Sequence, residues 1–105
     1  MAEQGAVRED DRNVVLSRVN ASWVRLAVFR GEYRWHHHPH SDELFLVVEG
    51  RLEIALADGR TLALGPWQCA VVPAGTVHRT RAGGRTVNLT VEALAAETVF
   101  VDRGA

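Results

Sequence analysis

Residues 31–64 read GEYRWHHHPHSDELFLVVEGRLEIALADGRTLAL. Side chains alternate in character over short runs, and the runs break at Gly31, Pro39, Gly50 and Asp58-Gly59. A period of two, punctuated about every eight to twelve residues by turn formers, is the pattern of an all-β sandwich or barrel. ELFLVVE (43–49), RLEIALA (51–57) and RTLAL (60–64) each read as a strand, with Asp58-Gly59 as a two-residue hairpin turn suited to positive φ. Working outward, VVLSRV (14–19), SWVRLAVF (22–29) and EYRWHHH (32–38) precede them. CAVVP (69–73), VHRTR (77–81), RTVNLTVE (85–92) and ETVFV (97–101) follow, with Gly83-Gly84 read as a turn. Only EALAAET (92–98) has helical character, over barely two turns. Residues 1–12 read as a flexible polar tail, which leaves one domain over residues 13–105.

Composition narrows the function. The 105 residues carry a formal net charge of -1, and no basic stretch marks a nucleic-acid partner. No apolar run reaches the ~20 residues that span a membrane, and the polar N-terminus is no secretory signal. A single cysteine, Cys69, excludes an internal disulfide framework and thiolate zinc fingers, and it fits a reducing, cytoplasmic compartment. Cys69 itself reads as a small buried hydrophobe. Every basic residue is Arg, so lysine Schiff-base chemistry is out.

Four of the five histidines fall in one window: His36, His37, His38 and His40; the fifth is His78. Strand parity puts His36 and His38 on one face and His37 on the other, with His40 in the following turn. Glu43 opens the next strand, and His78 follows the sharp Pro73-Ala74-Gly75 turn. Three neutral imidazoles and one carboxylate suit iron(II), zinc, manganese, nickel or copper. The bland alternative is a wet surface loop that happens to be rich in histidine.

The stretch from Gly31 through His36, His38 and Glu43 to Gly50 resembles the first motif of the cupins. The stretch from Gly65 through Pro73 and Gly75 to His78 resembles the second. The chain is similar, over roughly residues 22–92, to small single-domain cupins of the mannose-6-phosphate-isomerase-like kind. Two spacings depart from the pattern, and Ala82 stands where the second motif has Asn. The resemblance implies a double-stranded β-helix, or jelly-roll, barrel. It further implies one divalent transition metal per chain (iron, zinc, manganese or nickel), held by His36, His38, Glu43 and His78. Glu43 doubles as the candidate catalytic group, because in some relatives that carboxylate acts as a base.

Strict alternation through His36 turns Arg34 into the lumen, where it would clamp a substrate carboxylate or phosphate; a bulge would turn it outward. His40 at the rim and Thr80, which shares a face with His78, are further candidates for substrate contact. On TVNLTVE, Val87, Leu89 and Val91 make the better core face, and Asn88 is the polar alternative. Trp23, Trp35 and Trp67 read as core or interface anchors. Strand 43–49 is apolar on both faces, which, with the edge problem of a small β fold, points to a homodimer. Two functions follow: a metal-dependent enzyme acting on a small polar substrate, or a non-catalytic module that binds a metal or small ligand.

Overall fold

The computed structural model describes residues 11–102. The expected tail at residues 1–10 therefore lies outside the described residues, but Arg12 already belongs to the first strand. Among the described residues nine strands follow in order: β1 (Arg12–Val19), β2 (Ser22–Glu32), β3 (His36–His37), β4 (Glu43–Glu49), β5 (Leu52–Leu56), β6 (Thr61–Leu64), β7 (Cys69–Val72), β8 (His78–Ala93) and β9 (Val99–Phe100). The fold is all-β, a double-stranded β-helix barrel, with no helix among the described residues. Among the described residues no helix is long and apolar enough to cross a membrane.

Strand β8 organises the barrel. Its second half pairs with β2 on one side and β4 on the other, and β1 and β7 extend that wall outward. Its first half pairs with β5 and, at His78, with β3, so the opposite wall carries β9, β3, β8, β5 and β6. Gly83-Gly84 thus joins two halves of one 16-residue strand rather than turning the chain. The β2 register shifts here, from Phe29 opposite Thr86 to Gly31 opposite Ala82, so Gly83 and Gly84 sit in a bulge that eases a sharp bend between the walls.

Two other local expectations change. The β5–β6 connection is longer than two residues: it closes through Leu56 N–H donating to Arg60 O at 2.8 Å, with Gly59 at φ 98. Residues 92–98 form no helix. Ala93 ends β8, Leu94 N–H donates to Ala21 O, and the chain then crosses the barrel mouth as a strap.

The apolar core fills one end of the lumen. Phe45 and Val47 from β4 pack with Leu52, Ile54 and Leu56 from β5, Leu64 from β6 and Val72 from β7. Gly50 allows β4 to turn into β5 against β8. It holds φ at +89, and a Cβ there would stand 2.7 Å from Arg85 O and 2.9 Å from Thr86 Cα. Both the left-handed backbone and the close approach require glycine.

Candidate metal centre

The polar end of the lumen is assembled from two cross-tied turns. Asp42 Oδ1, after the Pro39 turn, accepts from Ala74 N–H at 2.8 Å, and Gly75 N–H donates to His38 O at 2.9 Å. Thr76 N–H donates to Pro73 O at 3.1 Å, with Gly75 at φ 81. That is the turn which only a residue tolerant of positive φ completes. The two turns bring His38 beside His78, while the β3–β8 register pairs His36 with His78 directly. Glu43 opens β4 on its inner face, followed on that face by Phe45 and Val47.

His36, His38, Glu43 and His78 are all buried, and one ligand atom from each lies within 4.8 Å of the others. Each of these imidazoles donates its Nδ1 hydrogen to a backbone carbonyl at 2.8 Å: His36 to Arg34 O, His38 to Glu97 O and His78 to Thr76 O. That anchoring selects the tautomer whose Nε2 lone pair faces the centre, as metal-binding histidines are commonly oriented. The Nε2 atoms of His38 and His78 stand 3.1 and 3.6 Å from Glu43 Oε1 without the alignment of a hydrogen bond. Buried lone pairs that converge on one point repel one another unless a proton or a cation stands between them; without a metal the His38 proton does this, and a bound cation would take its place. The donor set therefore fits a single divalent ion of the imidazole- and carboxylate-binding kind.

The electrostatics agree. Burial, with the neighbouring His78, lowers His36 to about 4, so it stays neutral. Burial alone would lower His38, but the Glu43 carboxylate overrides it and raises it to about 9. Burial would raise Glu43, yet the facing His38 and His78 hold it down to about 2. Without a metal, His38 and Glu43 form a buried ion pair.

A cavity of about 270 Å³ opens onto the cluster and is lined by His36, His38 and Glu43. Thr80 and Asn88 also line it, and both are buried. The inner face of β8 is thus Thr86, Asn88 and Thr90, while Val87, Leu89 and Val91 face outward, half-buried. Of the two faces that the sequence leaves open, the polar one with Asn88 turns to the cavity and the apolar one faces outward. Arg34 does not enter the lumen. Residues 33–35 leave the strand, the alternation breaks, Trp35 is buried instead, and the exposed Arg34 guanidinium lies 4.1 Å from the Phe100 ring centre. His37 takes the opposite face beside Val99, and His40 is exposed at the rim, 3.3 Å from Glu97 Oε1. Cys69 is exposed on the outer face of β7 rather than buried.

Asn13, Trp23, Arg25 and Glu92 are among the cavity residues that were not singled out from sequence as site groups. Trp23 belongs to the cavity wall rather than the core, and Trp67 is 72% exposed. Arg25 Nε stands 3.9 Å from Glu92 Oε1, a loose pair, and burial together with the Glu43 charge pushes the Glu92 carboxyl up. The sequence carries a trace of this wall. In SWVRLAVF the set Trp23, Arg25, Ala27 and Phe29 is mixed, whereas Val24, Leu26 and Val28 are uniformly apolar.

The model of the cupin domain matches residues 23–94. The chain belongs to the cupin family. It is 52% identical over 102 residues to YdbB of Bacillus subtilis (strain 168), covering 97% of this chain and 90% of that protein. It is 47% identical over 63 residues to a protein named polyketide synthase CurC of Streptomyces cyaneus, covering 58% of this chain and 40% of CurC. Among solved structures, a cupin-2 domain protein of Shewanella frigidimarina superposes with a TM-score of 0.71 at 30% identity, covering 77% of this chain and 78% of that one.

Proposed function

We propose that this cupin is a metal-dependent enzyme acting on a small polar molecule in the barrel lumen. The observation that carries the reading is the convergence of three Nδ1-anchored imidazoles and Glu43 on one buried point in the wall of an open cavity. His36, His38, Glu43 and His78 are the residues that would hold the ion. When bound, zinc, manganese or nickel supplies Lewis acidity and iron supplies oxygen chemistry. The protein's own part is orientation and proton handling. Thr80 and Asn88 line the approach, and the Glu43 carboxylate is the group placed to take a proton from a substrate at the cluster. The relative named polyketide synthase CurC supports a biosynthetic role over storage. A non-catalytic binding module is the second reading, and turnover of a substrate separates the two.

The direct test is elemental analysis of protein purified without chelator or affinity resin. About one divalent transition metal per chain is expected, and His78→Ala should lose most of it. Metal removal should also lower thermal stability, by about 2.7 kcal/mol when free metal exceeds its Kd about a hundredfold. Wild-type protein that neither carries nor takes up zinc, manganese or iron(II) refutes the reading.

We further propose a cytoplasmic homodimer. The outer face of the β1–β2–β8–β4–β7 wall is apolar. Val14 is 45% exposed and Val71 52% exposed, and Leu26, Leu89 and Leu46 lie half-buried in one row that runs from Val14 to Cys69. A patch of this kind marks an interface. Sedimentation showing a monomer at tens of micromolar overturns the dimer.

A further inference from the structure

The end of the cavity away from the cluster carries two amides. Asn13, Ala27, Asn88 and Val47 form one cross-strand row over β1, β2, β8 and β4. Asn13 and Asn88 both line the cavity, and Asn88 is 2% exposed. The amide oxygen of each is buried with no hydrogen-bond partner. Between them stands only Ala27, whose methyl leaves space open across the about 10 Å that separates strands two apart. Native interiors rarely leave such acceptors unmet, and an unmet one beside a cavity signals an absent donor.

The aromatic lining of the cavity adds a second constraint, with Trp23 in the row of Glu43, Phe45 in the row between and Phe29 one row beyond Asn88. Trp23, Phe29 and Phe45 contribute aromatic rings to the same cavity. Glu43 and Asn88 face the lumen from rows four residues apart along β8, about 13 Å of strand. A planar ring system packs against these aromatic side chains at low entropic cost, and a hydroxyl at its far edge supplies the donor that one of the two amides lacks.

We propose that Asn13 and Asn88 form an acceptor subsite for the hydroxyl group of an aromatic ligand whose other end faces the His/Glu cluster. This rests on the reading of the cavity as the substrate site, and it names the substrate class: hydroxylated planar rings. Asn88 is the principal acceptor, being buried at the centre of the wall. Asn13, on the edge strand, is the second.

The test uses full-length protein as purified and two probes that differ in one donor, 2-naphthol and 2-methoxynaphthalene, with affinities measured by calorimetry. Wild type should bind 2-naphthol about fivefold tighter, the worth of one neutral hydrogen bond. Asn88→Leu, close in volume, should equalise the two probes, and Asn13→Leu should shrink the preference. Because Asn13 lies on the edge strand, its replacement keeps the test available if Asn88→Leu fails to fold. No preference in wild type overturns the subsite. A preference undiminished in both variants also overturns it, since the donor then goes to the cluster. Metal content keeps the two proposals apart. Wild type that holds metal without the preference loses the subsite alone. A preference in protein that takes up no metal defeats the metal reading alone.

Discussion

Glu43 and Val47 lie on the same face of the same strand, four residues apart, and they head opposite ends of one lumen. Around Val47, the core residues Leu52, Ile54 and Phe45 exclude water and give the barrel its stability. Around Glu43, three imidazoles and a carboxylate are buried at a cost that packing does not return. One end of the barrel stabilises the molecule, and the other spends part of that stability on a site. The difference separates two kinds of mutational effect. Damage at the apolar end should appear as lost folding with metal binding intact in the chains that fold. Damage at the polar end should appear as lost metal with folding nearly intact.

The largest effect expected from this contrast is at Ile54, which is fully buried. Ile54→Ala should destabilise the protein by about 2–5 kcal/mol, through lost burial and the cavity left behind. Metal per folded chain should stay at the wild-type level. His78→Ala should do the reverse: metal content collapses, while the metal-free protein unfolds at nearly the same denaturant concentration as metal-free wild type. Denaturant titration and elemental analysis on both variants settle the matter. Equal losses of stability and metal in both would mean that the two ends are not separable.

The second effect is smaller and concerns protons. With His38 raised to about 9 and Glu43 lowered to about 2, the metal-free centre carries a proton on His38 at neutral pH. A metal ligand must be deprotonated, so metal uptake at pH 7 should release about one proton, and the release should vanish well above pH 9. His36, lowered to about 4, is already neutral and contributes none. The sign for stability follows from the same shifts. His38 contributes fully below its unfolded value of 6.5 and loses that contribution as pH rises through about 9. Glu43 contributes above its unfolded value of 4.5 and loses that contribution as pH falls through about 2. Metal-free protein should therefore weaken between pH 6.5 and 9, where metal affinity is still rising. Calorimetry in buffers of different ionisation enthalpy counts the protons. Uptake at pH 7 with no proton released would remove the His38–Glu43 pair from the account.

The two ends were not equally legible in the sequence. Alternation along ELFLVVE and RLEIALA marked both strands; ELFLVVE is apolar on both faces, and Glu43 at its start is what points Phe45 and Val47 inward. Parity at His36 and His38, together with the Pro-x-Gly turn before His78, placed the cluster, because its residues sit next to turns that fix direction locally. TVNLTVE left its direction open, since both its faces are plausible insides, and which one is inward depends on β8 serving two walls at once. Arg34 misled for a related reason. The chain leaves β-structure at residues 33–35, and alternation carries no information across such a break. Asn13, Arg25 and Glu92 could be reached only through strand register, which pairs β2 and β4 with β8 across long sequence separations.

The smallest effect expected lies just outside the cluster and tests how sharply it ends. The strap at residues 94–98 is tied to the β3–β4 turn by two histidines. Buried His38 donates Nδ1–H to Glu97 O, while His40, 69% exposed, stands 3.3 Å from the Glu97 carboxylate. Exposed pairs of this kind contribute about 0–1 kcal/mol. The backbone bond of His38 orients a candidate ligand and should hold without the outer pair. His40→Ala should therefore leave metal content at the wild-type level and shift stability by no more than that small amount. His37→Ala should also spare the metal, since His37 projects from the opposite face beside Val99. Metal content and melting temperature of the two variants give the answer. A loss of metal in His37→Ala would mean that β3 can reverse its faces. A loss in His40→Ala would mean that the outer pair, through the strap, is what aims His38 at the centre, and the boundary between rim and cluster would have to move outward to include Glu97.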